Sequence, residues 1–191
     1  MQVLNWHEFL NNGLHAEKNL TSMTVGVFDG MHRGHQSLIE RIVSHNADYT
    51  PAVVTFRENH KTGSGELCDI FSFEQRLAMF EKFGVQIVIA VDFTDEFRKM
   101  PGGEFLEILL KHGNVGFFAV GSDFRCGYQL DTDAAAIEKF FTSRGIPAEI
   151  AEQEREGAMP ISSSRIRAAI ASGDHALAQI MLGQRGFLLN K

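Results

Sequence analysis

Short apolar runs alternate with amphipathic segments along most of this 191-residue chain. The runs predict strands at residues 25–28, 51–56, 86–91, 116–120 and 148–151. The segments between them, and two more that close the chain, predict helices at 34–45, 72–83, 95–99, 103–112, 132–144, 163–171 and 174–182. Near-continuous apolar strands separated by helices are typical of a parallel sheet covered on both faces. The pattern therefore predicts a Rossmann-like, doubly wound α/β fold with about five strands.

Composition narrows the class of protein. Apolar residues make up 44% and charged residues 22%, without an evident repeat or linker, so we expect one domain over residues 1–191. The net charge of −6 argues against a broad nucleic-acid surface. Cys68 and Cys126 give no disulfide framework, and the longest apolar run, 87–91, is too short for a bilayer. With no signal peptide at the N-terminus, we expect a cytoplasmic protein without membrane or nucleic-acid partners; the oligomeric state stays open.

The most specific segment, Thr24 to His35, reads TVGVFDGMHRGH. It predicts a buried strand, a tight turn and the first turn of a helix. A helix N-terminus has unpaired N–H groups and a partial positive charge, and His32 and His35 fall on one helical face. Gly34 between them would let a ligand approach the backbone closely. These features together predict a polyphosphate pocket, whereas each histidine taken alone would be an ordinary surface residue beside a turn.

This segment is neither of the two common phosphate loops. A Walker loop requires a Gly-Lys-Ser/Thr ending, which is absent, and the dinucleotide fingerprint has glycines two and three residues apart. Here Gly26, Gly30 and Gly34 are spaced by four. We therefore expect histidines and a helix end, rather than a lysine, to hold the phosphates.

Residues 26–35 resemble the motif of the HxGH nucleotidylyltransferase superfamily, in the form found in bacterial FAD synthetases. Those enzymes transfer AMP from ATP to FMN. The resemblance implies that His32 and His35 contact the ATP phosphates as catalytic residues, with His35 nearest the α-phosphate. It also implies an ATP-binding role for five neighbouring positions: Gly26, Phe28, Asp29, Gly30 and Gly34.

A second segment, Thr55 to His60, follows the second predicted strand. FAD synthetases are similar up to the Thr-Phe pair, and then usually have an acidic residue followed by Pro-His-Pro. Here Arg-Glu-Asn-His stands in place of that sequence. The resemblance implies flavin binding by Thr55, Phe56 and His60, although His60 could equally be a solvated loop residue.

A third segment, GSDFRCG at 121–127, directly follows the fourth predicted strand. It resembles the Gly-x-Asn/Asp-Phe-Arg-Phe-Gly loop of FAD synthetases, with Cys126 in place of the second Phe. The resemblance implies that Asp123, Phe124 and Arg125 bind the flavin. Related enzymes that adenylylate pantetheine phosphate or nicotinamide mononucleotide lack this loop, and an ordinary Asx turn is the alternative.

A fourth segment, PISSSRIR at 160–167, has the serines of a capped helix start. Its hydroxyls, N–H groups and guanidinium suit the β- and γ-phosphates of ATP. It is similar to the family pattern Ile-Ser-Ser-Ser/Thr-x-Ile-Arg. That pattern implies ATP binding by Ser162, Ser163 and Ser164 and a catalytic role for Arg167, with Arg165 solvated.

The reaction implied by the resemblance is an in-line attack of an FMN phosphate oxygen on the α-phosphate of ATP. No protein nucleophile is required, and Mg²⁺ would be carried by the ATP phosphates rather than by a protein metal site. Bacterial FAD synthetases usually continue into a riboflavin kinase domain where this sequence ends, so we expect no phosphorylation of riboflavin. Two alternatives stay open: a nucleotidylyltransferase with another small phosphate acceptor, and a non-catalytic flavin or nucleotide sensor.

Overall fold

The computed structural model describes residues 1–14, 20–57 and 69–183. Within these ranges strands and helices alternate along most of the chain. In chain order they are β1 (Gln2–Asn5), α1 (Trp6–Asn12), β2 (Leu20–Val25), α2 (Arg33–Ser44), β3 (Tyr49–Phe56), α3 (Phe73–Lys82), β4 (Ile87–Val91), α4 (Asp95–Arg98), α5 (Gly102–Gly113), β5 (Val115–Gly121), β6 (Arg125–Cys126), β7 (Thr132–Asp133), α6 (Ala134–Thr142), β8 (Ala148–Ala151), β9 (Arg155–Glu156), β10 (Met159–Pro160), α7 (Ser163–Ala171) and α8 (His175–Leu182).

Six strands of the described chain form one parallel sheet in the order β1-β4-β3-β2-β5-β8. From β2 the chain moves outward to β3 and β4, then returns to the other side of β2 for β5 and β8. A reversal of this kind defines a doubly wound sheet, in which ligands bind at the carboxyl ends of the strands beside the reversal. The predicted fold class is confirmed, and β2 and β5 flank the reversal.

Apolar side chains cover both faces of the sheet. Val53 and Val54 are neighbours in β3 and both are 0% exposed, yet they belong to separate clusters because successive strand residues point to opposite faces. The Val53 cluster includes residues of α2, α3, α7 and α8, whereas the Val54 cluster includes residues of α1, α5 and α6. Burial on both faces explains why these strands are continuously apolar.

The edge of the sheet was not predicted. The N-terminal strand β1 pairs in parallel with β4, so the sheet has six strands rather than about five. Gln2–Asn5 is short and mostly exposed or half-buried, so it lacks the apolar run that marks the inner strands. The start of the following helix, α1, could have been predicted from the sequence, because Asn5 and Glu8 form a capping box.

Most predicted bounds differ from the structure by one or two residues, and two of the differences have a clear structural cause. The strand predicted at 25–28 is wrong, because β2 ends at Val25 and Phe28 adopts a positive φ of 56° that no strand accommodates. The helix predicted from residue 132 begins at Ala134, since Thr132 pairs with Cys126 in a short hairpin and Asp133 caps the helix. No helix in the described part of the chain is long and apolar enough to cross a membrane.

Candidate active site

A cavity of about 250 Å³ opens at the carboxyl ends of β2, β5 and β8, beside the reversal of strand order. Its walls come from four segments that are far apart in the sequence. The lining residues lie within 25–38, 121–125, 151–154 and 161–167. Three of these segments are the first, third and fourth motifs of the sequence, so the fold gathers them around one space.

The turn after β2 is held by its own apolar side chains. Phe28 and Met31 are both fully buried, although both adopt positive φ values, 56° and 42°. The Phe28 ring packs edge-on against His35 at 5.2 Å and against Phe80 at 5.4 Å. Phe28 thus lines the cavity as a buried support for His35.

Gly30 shapes this turn from outside the cavity lining. Its φ is +79°, and a Cβ placed there would lie 2.8 Å from Cδ1 of Ile70.

We expect Gly30→Ala to lower the free energy of unfolding by about 1–2 kcal/mol, because an L-residue is strained in this conformation. Urea denaturation measures the change. Gly103→Ala is the control, since its Cβ would meet nothing within 4 Å and it lies in α5, where alanine is favoured. Equal stability of the two variants would contradict the prediction.

His32 and His35 form a stacked pair at the start of α2. His32 is the N-cap residue, and its Nδ1 accepts a hydrogen bond from the backbone N–H of His35 at 3.3 Å. The two rings are nearly parallel, with centroids 3.6 Å apart. Because Nδ1 of His32 is an acceptor, its neutral ring carries the proton on Nε2. Nδ1 of His35 is buried and has no hydrogen-bond partner among the described residues.

Both imidazoles are held neutral near pH 7. Burial lowers the pKa of His32 to about 4, even though the negative charge of Asp123 acts in the opposite direction. Burial also holds the pKa of His35 well below its usual value, with smaller contributions from His32 and the positive charge of Arg76. The pair therefore offers directed hydrogen bonds to a ligand rather than positive charge.

The N-terminus of α7 forms another wall of the cavity. Ser162 caps the helix by accepting the N–H of Arg165 at 3.2 Å, as the sequence predicted for this serine-rich start. The Ser163 hydroxyl donates to the backbone carbonyl of Asp29 at 2.7 Å, whereas Ser164 is exposed at the cavity. Arg167 lines the cavity, and its Nη1 donates to Oδ2 of Asp29.

Asp29 lies beneath this wall and is 2% exposed. Burial raises the pKa of its carboxyl group, while the amide of Ile70 and the charge of Arg167 act to lower it. Gly26 and Gly34 also line the cavity. A Cβ on Gly34 would lie 3.4 Å from the His32 ring, so glycine keeps the space above the imidazole open.

A wall that was not predicted from the sequence comes from residues 152–154, which lead into the β9–β10 hairpin. Glu152 and Glu154 line the cavity, and Arg33 holds the hairpin through ion pairs to Glu154 at 3.6 Å and Glu156 at 2.7 Å. The expectation that Arg165 is solvated is wrong. Its Nη1 donates to the hairpin carbonyls at 3.1–3.4 Å, and it fixes the hairpin against α7.

The residues that the sequence analysis expected to bind the flavin fall into two groups. Asp123, Phe124 and Arg125 line the cavity. Thr55 and Phe56 do not reach this lining: Thr55 donates to the carbonyl of Val27 at 3.3 Å, and Phe56 stacks on Phe93 at 4.4 Å. The flavin-side expectation for His60 lies outside the described residues.

Arg76, which sequence analysis missed, does not line the cavity but holds the backbone of Val27, which does. It is 1% exposed, and its guanidinium donates to the carbonyls of Val27, Phe56 and Arg57 at 2.7–2.9 Å. These oxygens belong to the chain leaving β2 and β3, so Arg76 ties the two motif-bearing ends together. Its position in an amphipathic helix resembles that of many surface arginines, and only the fold shows its burial.

The described residues offer few side chains that could ligate a metal ion. Among residues 1–14, 20–57 and 69–183, no group of three or more His, Cys, Asp or Glu side chains is arranged to hold a metal ion. The Asp29 carboxylate is already engaged by Arg167 and two backbone amides.

A family model described as FAD synthetase matches residues 14–165 of the chain. The bifunctional riboflavin kinase/FMN adenylyltransferase of Escherichia coli strain K12 is 29% identical over 167 residues, covering 84% of this chain and 53% of that protein. The protein of the same description from Bacillus subtilis strain 168 is 29% identical over 181 residues, covering 90% of this chain and 56% of that protein. The chain thus spans about half the length of these curated relatives.

The fold of this chain is similar to that of several solved structures. A Streptococcus pneumoniae protein described as a macrolide-efflux protein has a TM-score of 0.81 at 23% identity, over 96% of this chain and 60% of that one. The pantoate-beta-alanine ligase of Francisella tularensis, complexed with beta-gamma ATP and beta-alanine, has a TM-score of 0.57 at 16% identity, over 94% of this chain and 80% of that one. At such identities the likeness concerns the fold alone. Because the FAD synthetase model matches most of the sequence, the chain belongs to the FAD synthetase family.

Proposed function

We propose that the protein is an FMN adenylyltransferase, which transfers AMP from ATP to FMN and releases pyrophosphate. One observation carries the proposal: the cavity beside the strand reversal brings together the HxGH turn, the serine-rich start of α7 and the SDFR loop after β5. The first two suit a nucleoside triphosphate. The third gives the acceptor side an aromatic ring and a guanidinium, which suit a ring system that bears a phosphate.

In this proposal the protein works by positioning and by stabilising charge. The neutral rings of His32 and His35 donate hydrogen bonds to the ATP phosphates, and His35 acts nearest the α-phosphate, where negative charge develops. Arg167, with Ser162, Ser164 and the α7 N-terminus, binds the leaving pyrophosphate. Since the FMN phosphate is itself the nucleophile, holding it in line with the α-phosphate supplies much of the rate.

The acceptor side of the proposal rests on the loop after β5. Asp123, Phe124 and Arg125 contact FMN, with Arg125 suited to its phosphate and Phe124 to its ring. Thr55 and Phe56 do not line the cavity, and we propose that they support flavin binding by holding the backbone at the end of β3. A flavin contact by His60 is proposed from the resemblance alone. Mg²⁺ enters with ATP, bound to phosphate oxygens and water.

Incubation with FMN, ATP and Mg²⁺ tests the proposal directly. We expect FAD, separated by chromatography, together with an equal amount of pyrophosphate. Without FAD, a screen of other phosphate-bearing acceptors decides whether the enzyme uses another substrate. If no acceptor reacts while FMN or ATP still binds by calorimetry, the protein is a flavin or nucleotide sensor and the proposal fails.

A further inference from the structure

The carboxylate of Asp29 is fully engaged within the protein. Its Oδ1 accepts the backbone N–H of Ile70 at 2.8 Å and that of Phe71 at 3.4 Å, and its Oδ2 accepts Nη1 of Arg167. The side chain is 3% exposed. Asp29 itself lines the cavity, but a buried anion in this state is a poor ligand for a triphosphate, because like charges repel and both of its oxygens already accept hydrogen bonds within the protein.

Arg167 has donors left over after this contact. A guanidinium carries five N–H donors in a rigid planar fork, and the contact with Asp29 uses one donor, on Nη1. Nε of Arg167 is buried and has no hydrogen-bond partner among the described residues, and the residue lines the cavity. Buried polar groups without partners are rare in folded proteins, so this donor indicates a ligand or water at the site.

The backbone of residue 29 is tied to the same helix. The Ser163 hydroxyl donates to the Asp29 carbonyl at 2.7 Å, so the helix that bears Arg167 contacts Asp29 twice. An ion pair with a buried carboxylate restricts the rotamers that the long arginine side chain can adopt. When the other N–H donors of Arg167 bind an anion, the side chain therefore loses less conformational entropy.

We infer that Asp29 is a positioning residue, which holds the Arg167 guanidinium ready for the leaving pyrophosphate and does not itself contact the nucleotide. The inference rests on the proposed function, which makes pyrophosphate the product held by Arg167. It assigns Asp29 a role different from the ATP contact expected from the motif. It also explains why a carboxylate is present beside a cavity suited to phosphates.

A double-mutant cycle tests whether Asp29 acts through Arg167. Binding of inorganic pyrophosphate with Mg²⁺ is measured by calorimetry for the wild type, Asp29→Asn, Arg167→Gln and the double variant. We expect each single substitution to weaken binding about 10- to 100-fold, as for a lost charged hydrogen bond. The double variant should stay within about twofold of Arg167→Gln, because the two losses are one interaction.

Steady-state kinetics separate positioning from a merely structural role. Asp29→Asn should lower kcat/KM for ATP while the KM for FMN changes less than about twofold, since only the phosphate side is disturbed. Asp174→Asn is the matched control: Asp174 is an exposed helix cap, and asparagine caps equally well. If Asp29→Asn does not fold, Asp29→Glu keeps the charge but displaces the guanidinium, and the same losses are expected.

Three outcomes would overturn the inference. One is wild-type pyrophosphate affinity in Asp29→Asn, and another is multiplication of the two losses in the double variant, which would make Asp29 an independent ligand. Absence of pyrophosphate binding in the wild type would overturn it as well. If the cycle behaves as expected but the wild type forms no FAD, only the proposed function fails.

Discussion

Replacing His35 with alanine should lower kcat for FAD formation by about 10²–10³-fold, the usual effect of removing one donor that stabilises developing charge. His35 lines the cavity on the first turn of α2, and its ring is kept neutral by burial, so it can direct a hydrogen bond at a phosphate oxygen. Flavin affinity should change far less, because the proposed flavin contacts come from the loop after β5. Steady-state kinetics with saturating ATP and FMN give kcat, and calorimetry with FMN gives the flavin affinity.

Two controls accompany this experiment. His175→Ala removes an exposed histidine at the start of α8 and should leave kcat unchanged. Because the His35 ring stacks on His32 at 3.6 Å, the urea midpoint of His35→Ala is measured as well, to show that the variant is folded in the assay. A loss of FMN affinity as large as the loss of kcat would mean that His35 supports the whole site rather than the transferring phosphate.

Replacing Arg76 with methionine should lower the free energy of unfolding by about 3–5 kcal/mol, because several buried carbonyls would lose their donor and each unsatisfied group costs about 1–3 kcal/mol. Methionine fills much of the volume but offers no N–H donor. The carbonyls of Val27, Phe56 and Arg57 would then lose their buried donor. Such a loss is a large share of the 5–15 kcal/mol of a typical domain, and urea denaturation at low temperature measures it.

Arg144→Met is the matched control. Arg144 also has an ion pair, to Glu107 at 2.6 Å, and lies over the Phe140 ring at 3.8 Å, but its side chain is 38% exposed. Exposed pairs contribute about 0–1 kcal/mol, so this variant should remain close to the wild type. Arg76→Lys keeps the positive charge but lacks the planar guanidinium, so the stability of this variant should lie between those of Arg76→Met and Arg144→Met. Equal stability of Arg76→Met and Arg144→Met would show that the carbonyls find water or other donors.

Much of the fold could be predicted because its signals are local. The helix predicted at 163–171 has those bounds in the structure, since serine caps and an apolar periodicity act over a few residues. The strand pattern indicated burial on both faces, which restricts the topology to a covered parallel sheet. The strand predicted at 25–28 was wrong because the fold buries Phe28 and Met31 in a strained turn, against the local preference of both residues.

By itself, the sequence determined the fold class and three of the segments that meet at the cavity, since strands, caps and glycine turns depend on neighbouring residues. Only the tertiary structure decided how these segments interact. It placed Asp29 against Arg167, 138 residues away, buried Arg76 beneath two strand ends, and fixed the β9–β10 hairpin with Arg33 and Arg165. The reason is physical: whether a charged side chain lies in solvent or beneath a site depends on which distant segments pack over it, and no local pattern records that.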